Sequence, residues 1–237
     1  MSLGGTACFL GWCLAAYLLG SVPFGHLLGR LAGVDIRTAG SRNIGATNCW
    51  RLCGWRFGLP AFVLDVAKGF AAALVARWVV GAWPPAADMP APMVHLLVVL
   101  AGASAIVGHV FPLYLGFRGG KAVATSLGVL LGLPAVWPLA AGAFVLWTAV
   151  LLATRYVSVA STAAALAMLA AVLVVDVSDG VRLSLVTPWT ERWPVTAFTV
   201  LLVVVVLVRH RENYRRLLAG TENKFGRRKP ADESNAS

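Results

Sequence analysis

Charge is scarce in this sequence. Asp, Glu, Lys and Arg make up 13% of its 237 residues, whereas a soluble domain carries roughly 25%. Hydrophobic residues account for 59%, and the mean hydropathy is +0.77. Long apolar runs recur along almost the whole chain, which leaves no room for a separate water-soluble domain. Also lacking is the period-two alternation, in segments of about ten residues, that membrane barrels require. The runs are instead continuous and rich in Leu, Ala and Val, as helices in lipid are. The expectation is an all-α integral membrane protein: one polytopic domain over residues 1–228 and a disordered cytoplasmic tail over 229–237.

Acidic residues are few as well, 10 against 20 Lys and Arg, for a net charge of +10. In a membrane chain this imbalance reports topology and contact with anionic lipid, so nucleic acid is not an expected partner. Cysteine is limited to Cys8, Cys13, Cys49 and Cys53. The pair Cys49/Cys53 lacks the further Cys or His of a zinc site, so all four are read as small apolar fillers and no metal is expected. No basic stretch precedes the first apolar run, and no convincing cleavage site follows at Gly20-Ser21. That run is expected to be a retained helix rather than a leader.

What is present is a series of apolar runs near the ~20 residues that cross a bilayer. The candidate spans are Ala7–Leu28, Leu59–Val80, Met93–Leu115, Ala122–Val136, Trp137–Ala153, Val157–Val175 and Pro194–Val208. Gly132, Pro134 and Pro138 leave the fourth and fifth open: two short helices with a tight turn, or one long kinked helix. Basic residues collect after the first span (Arg30, Arg37, Arg42, Arg51, Arg56), after the third (Arg118, Lys121), at Arg155, and after the last (Arg209, Arg211, Arg215, Arg216 onward). Asp88, Asp176, Asp179 and Glu191, with Arg77, Arg182 and Arg192, fall on the other side. The positive-inside rule then puts the N-terminus outside and the C-terminus in the cytoplasm, which needs an odd number of spans; about seven fits.

Three polar segments share the predicted cytoplasmic side. The first runs from Gly33 to Arg51 and sets Ser41, Asn43, Thr47 and Asn48 among glycines and arginines. Glycines let backbone N–H groups approach an anion, and Ser and Asn add neutral donors. An ordinary positive-inside loop would explain the arginines but not that density of neutral polar residues. The second, Gly108 to Thr125, ends in Gly119-Gly120-Lys121 immediately before a helix. Free N–H groups, a helix N-terminus and a lysine together make a cradle for phosphate. The spacing of a P-loop is absent. His109, at the end of the third span, either faces this cradle or is a buried helix-pairing residue. The third segment, Arg209 to Lys224, places His210 and Asn213 on one helical face below the last span, with Glu222 beyond a helix-ending Gly220. A basic juxtamembrane helix accounts for its arginines, but not for His210, Asn213 and Glu222. Asp65 and Lys68, one turn apart in the second span, either pair with each other or face the site.

Together these segments resemble the bacterial PlsY-type acyl-phosphate:glycerol-3-phosphate acyltransferases. The resemblance rests on Ser21-Val-Pro-Phe-Gly25 with Gly40-Ser41…Asn43-Ile-Gly-Ala-Thr-Asn48, on Gly108-His-Val-Phe-Pro112 with Phe117-Arg-Gly-Gly-Lys121, and on His210…Asn213 with Gly220-Thr-Glu222. It runs end to end in the family's order. One departure is Ala122, where the family usually has a fourth residue, glycine, in Gly-Gly-Lys-Gly. The resemblance implies a seven-helix enzyme of the bacterial inner membrane that moves a fatty acyl group from acyl phosphate to the 1-hydroxyl of glycerol 3-phosphate. The product would be lysophosphatidic acid, the first intermediate of phospholipid synthesis. By the same resemblance Ser41, Lys121, His210 and Asn213 are candidate catalytic residues. Arg51, Asn43, Asn48, Gly119, Gly120, His109 and Glu222 are candidates for holding the substrates.

An acyl phosphate is already activated, so neither a cofactor nor a covalent intermediate is expected. His210 or a substrate phosphate oxygen is the candidate base. None of the four histidines has Asp five residues on, which argues against the His/Asp-activated hydroxyl of other glycerolipid acyltransferases. Two rival readings are a small-molecule transporter, which would call for charges near the midplane or internal repeats, and an enzyme acting on another phosphate-bearing lipid.

Overall fold

A computed structural model describes residues 3–82, 89–134, 136–177 and 189–226. The expected tail at 229–237 lies outside the described residues, as do Asp88, Asp179, Arg182 and the side chains of Asp176, Glu191 and Arg192. Nine α-helices and no strand occur among the described residues. They are α1 (Leu3–Ser21), α2 (Phe24–Leu31), α3 (Ala46–Cys53), α4 (Trp55–Gly81), α5 (Ala91–Val110), α6 (Val123–Leu131), α7 (Trp137–Thr154), α8 (Val157–Val177) and α9 (Trp189–Leu218). Six helical segments are long and apolar enough to cross a membrane.

The seven helices of the bundle, α1 and α4 to α9, follow the order of the expected spans. The ambiguity over the fourth and fifth resolves into two helices of unequal length. Val123–Leu131 has 9 residues, about 14 Å at 1.5 Å per residue, or half of a ~30 Å core. It runs beside the middle of α4, from Val66 to Ala73, where Gly132 ends it. The chain turns there and returns as α7 to Arg155, whose left-handed conformation (φ 62°) caps that helix. Arg155 lies at the same end of the bundle as the C-terminal segment, since its carbonyl accepts a hydrogen bond from Phe225 N–H at 2.7 Å. The α6–α7 pair therefore starts and finishes on one face, and the parity of the remaining helices is preserved.

Neighbouring contacts give the directions of the others. Phe9 packs with Val80 and Leu97, while Lys68 Nζ reaches the carbonyl of Val22 at 2.9 Å, so α4 runs antiparallel to α1. The Tyr17 hydroxyl donates to the carbonyl of Phe111 at 2.9 Å, so the last turns of α1 and α5 share one end. Thr162 and Tyr214 hydroxyls meet at 2.6 Å, which brings the start of α8 to the end of α9. Among the spans α5 is the most buried and α7 the least. α9 is 30 residues long, about 45 Å, so its final turns carry polar groups past the apolar layer.

Lipid gives little hydrophobic drive for helix association, so contact depends on close approach at small residues. A Cβ on Gly108 would stand 2.2 Å from the carbonyl oxygen of Tyr17, and one on Gly128 1.9 Å from that of Val66. Replacing Gly128 by Val must therefore push α6 off α4. The expected cost is about 1–3 kcal/mol, seen as a lower thermal midpoint in detergent. An unchanged midpoint would contradict this packing.

Candidate active site

The first polar segment is organised by one carboxamide. Asn48 is 1% exposed, and its Nδ2 donates toward the carbonyls of Ile36 (2.8 Å), Ala39 (3.2 Å) and Asn43 (3.1 Å). Its Oδ1 accepts from the Ser41 N–H at 3.0 Å and from Arg51 Nη1 at 3.3 Å. Both N–H bonds of Asn48 are thus used within the loop, and the residue's visible work is to hold Ser41 and Arg51 rather than to donate outward. Gly40 (φ +61°) makes this possible, because a Cβ there would lie 2.4 Å from Asn48 Oδ1. Asn43 Oδ1 accepts from the Gly45 N–H at 2.9 Å, the turn that opens α3. At the loop's outer edge Arg37 holds the Asp35 carboxyl well below the usual carboxylate range through paired hydrogen bonds.

The second segment presents backbone. The Gly120 N–H donates to the His109 carbonyl at 3.0 Å, and the His109 ring lies so close beneath that a Cβ on Gly120 would meet its Nε2 at 2.2 Å. No acceptor among the described residues takes the N–H groups of Lys121 or Ala122. These amides, with the first N–H groups of α6, form an anion-attracting concavity. Ala122 sits at φ 58°, ψ 14°, a left-handed conformation that glycine adopts freely and alanine does not. This is the physical reason for glycine at that position in the Gly-Gly-Lys-Gly form of the motif. Here the strain is tolerated with the methyl group buried.

The third segment closes the site. Gly220 (φ 69°) ends α9, and Thr221 N–H returns to the carbonyl of Arg216 at 2.8 Å. The chain then folds back as a strap, fixed by Phe225 N–H on Arg155 and by the Phe225 ring 5.2 Å from that of Trp50. The strap inserts Glu222, whose two oxygens accept from Asn213 Nδ2 (2.7 Å) and Arg216 Nε (2.8 Å). Asn213 Oδ1 in turn accepts from Lys121 Nζ at 2.5 Å. His210, 1% exposed, is 2.8 Å through Nδ1 from the carbonyl of Val206. A carbonyl can only accept, so Nδ1 carries the proton and Nε2 keeps a lone pair.

These pieces line one polar cavity, to which Ser41, Asn43, Asn48, Arg51, His109, Lys121, His210, Asn213 and Glu222 all contribute. Gly119 and Gly120 stand behind it, joined to the rest through Lys121 and His109. Three cations, Arg51, Lys121 and Arg216, face the carboxylate of Glu222. Asp65 also lines the cavity, but it is neutralised by Lys68 at 2.8 Å and stands 3.5 Å from His109 Nδ1. Both alternatives posed by the sequence are therefore realised: Asp65 pairs with Lys68 and still reaches the site. Burial pushes the Lys121 ammonium down to about 8; Glu222 opposes this, and Arg216, Arg209 and Arg51 reinforce it.

The polar cavity continues into an apolar one between α4 and α6 to α9. Phe62, Val123, Ala124 and Trp147 line both. The apolar cavity extends along α9 as far as Thr199, eleven residues from His210 and so about 16 Å away. Sequence reasoning did not single out Arg216, Ser158, Phe225 or the Phe62–Trp147 rim. Arg216 merges with the basic residues around it, and the others carry no motif; only Glu222 hinted that the strap mattered. Replacing Ala122 by Val should cost about 1–2 kcal/mol of stability, because a β-branched residue resists the left-handed region and overfills the site. Replacement by Gly should leave the stability within about 1 kcal/mol of wild type. Equal midpoints for the two variants would contradict the backbone geometry.

Comparison with known proteins agrees with this architecture. Residues 10–220 match the family described as glycerol-3-phosphate acyltransferase. A glycerol-3-phosphate acyltransferase of Thermosynechococcus vestitus is 42% identical over 228 residues, covering 93% of this chain and 97% of the relative. One of Geobacter sulfurreducens is 42% identical over 212 residues, covering 89% and 94%. Among solved structures, the crystal structure of PlsY (YgiH), an integral membrane glycerol 3-phosphate acyltransferase, in its glycerol 3-phosphate form is 35% identical. It superposes with a TM-score of 0.74 over 92% of this chain and 96% of that one; its lysophosphatidic acid form gives 0.73. With a matched region that spans the first two polar segments and runs into the third as far as Gly220, and with a bundle of the same shape, the chain belongs to the glycerol-3-phosphate acyltransferase family.

Proposed function

We propose that this protein transfers a fatty acyl group from acyl phosphate to the 1-hydroxyl of glycerol 3-phosphate, giving lysophosphatidic acid and inorganic phosphate. The observation that carries the reading is the junction of a cation-rich polar cavity with an apolar cavity at the N-terminus of α6. A donor with an acyl tail and a phosphate head fits that junction: the tail lies between helices and the head meets Lys121 and the free amides. The second phosphate, that of glycerol 3-phosphate, falls to the side of Ser41, Asn43 and Arg51. The relatives' names and the ligand forms of the solved neighbour point to the same acceptor and product.

The transfer needs one attack. The glycerol oxygen bonds to the acyl carbon, the carbon–oxygen bond to phosphate breaks, and phosphate departs with the electron pair. The hydroxyl proton passes to His210 Nε2 or to a phosphate oxygen. Lys121 and Arg51 offset charge on the bound and departing phosphates, and proximity supplies much of the rate. An activated donor needs no cofactor. Residues 1–228 act as one membrane domain, with the N-terminus outside and the polar end facing the cytoplasm of a bacterium's inner membrane, where the positive-inside rule puts it.

Purified protein given acyl phosphate and labelled glycerol 3-phosphate should make labelled lysophosphatidic acid and one phosphate per acyl group transferred. Folded protein that makes none defeats the reading, and equal turnover with an acyl thioester defeats the donor assignment. Lys121→Ala should lower kcat/KM by about 100-fold or more, as loss of a charge-assisted phosphate contact in a desolvated site does. The ammonium sits near pKa 8 in the free protein, so kcat/KM should fall as pH rises through about 8. Substrate phosphates are already dianionic there, with second pKa values near ~6. Arg stays charged across that range, so Lys121→Arg, if active, should lack the decline; an unchanged profile would show that another group titrates.

A further inference from the structure

In the sequence Arg209 counts only among the basic residues that set topology. In the structure its guanidinium donates from Nη2 to the carbonyls of Gly119 (3.1 Å) and Gly120 (2.7 Å), and from Nε to Gly120 (3.2 Å). No carboxylate among the described residues lies within ion-pair distance of it. A half-buried arginine whose fork grips two successive carbonyls, with no acidic partner, has been placed for geometry.

Peptide planarity says what that geometry does. The carbonyl of one residue and the N–H of the next belong to one rigid unit and point in opposite directions. The Gly119–Gly120 unit is held at both ends, its oxygen by Arg209 from α9 and its N–H by the His109 carbonyl from α5. The Gly120–Lys121 unit is held by its oxygen alone, so its N–H, which has no acceptor among the described residues, is turned away from Arg209. Two glycines without side chains would otherwise let these units rotate at small cost. The inner side of the loop is backed by His109, which faces Asp65, itself fixed by Lys68.

The geometry points to Arg209 as a positioning residue that holds the Gly119–Lys121 backbone with its free N–H groups facing the phosphate of the acyl donor. The identity of that anion rests on the function proposed above; the clamp itself does not. Ala122 and Val123, next along the chain, line the polar cavity, and Val123 also lines the apolar one. The loop therefore sits where the head of a molecule with its tail in the apolar cavity must lie.

Lysine in place of Arg209 keeps the charge but cannot fork onto two carbonyls, so Arg209→Lys separates geometry from attraction. Arg209→Lys and Arg209→Gln should both lower kcat/KM for acyl phosphate by about 10-fold or more, with the KM for glycerol 3-phosphate within about 3-fold of wild type. Hydrogen exchange at Gly120, read by mass spectrometry on the purified protein, should quicken by about 10-fold relative to amides of α4. Arg215, exposed and paired with Glu212, supplies the control: Arg215→Gln removes the same charge and should change neither readout. Arg209→Lys with wild-type kinetics and exchange overturns the clamp. So does an equal rise in both KM values with exchange unchanged, which is the signature of long-range attraction. Should Arg209→Gln quicken exchange throughout the bundle, turnover of Arg209→Ala with added guanidinium decides. Recovery with guanidinium but not methylammonium supports the fork, and no recovery or equal recovery with both overturns it. If wild-type protein makes no lysophosphatidic acid, the donor assignment fails while the exchange data still decide the clamp.

Discussion

The polar end of this protein depends on the carboxylate of Glu222. One oxygen holds Asn213 and the other holds Arg216, while Asn213 passes the interaction on to Lys121. Charges packed this closely, away from bulk water, repel or attract far more strongly than at a surface. Glu222 is the anion that lets Arg51, Lys121 and Arg216 share one cavity. Removing one partner from such a network leaves the others uncompensated, and that loss exceeds the net worth of the pairs themselves. The strap that delivers Glu222 is accordingly tied down at Arg155 and Trp50, on elements far apart in the chain.

Charge elsewhere in the interior is arranged differently. Asp65 and Lys68 form a buried pair that neutralises itself and leaves His109 oriented beneath the glycine loop. The cations around Glu222 outnumber it, so that cavity is incomplete without an added anion. On the function proposed above a phosphate would supply what is missing, with its apolar tail in the adjacent cavity. The position of α6 makes the junction: its N-terminus stands at the polar end and its flank lines the apolar cavity.

Much of this was legible in the sequence because it has a local cause. Low charge and continuous apolar runs gave helices in a membrane, and neutral polar residues crowded among glycines marked three segments that the fold brings to one cavity. What was not legible depends on tertiary contact. Pro134 and Pro138 showed an interruption, but only Phe225 on Arg155 fixes the direction in which the chain returns. The side chain of Asn48, counted among outward donors, turns into its own loop because five partners converge there. Ala122 looked like a small departure from a glycine motif until its positive φ gave that glycine a reason. Arg209 was indistinguishable from its basic neighbours, since a guanidinium on backbone carbonyls leaves no pattern in a sequence.

The central claim is that the cavity is a cation cluster balanced only in part by Glu222 and completed by phosphate. The most direct test is the thermal midpoint of the purified protein titrated with glycerol 3-phosphate, with glycerol as the comparison. Binding to the native state alone stabilises it by RT ln(1 + [L]/Kd), about 2.7 kcal/mol at a hundred times Kd. The account predicts a saturable rise with glycerol 3-phosphate, none with glycerol, and a much smaller rise in Arg51→Gln. An equal response to glycerol, or no response to glycerol 3-phosphate by folded protein, would contradict it.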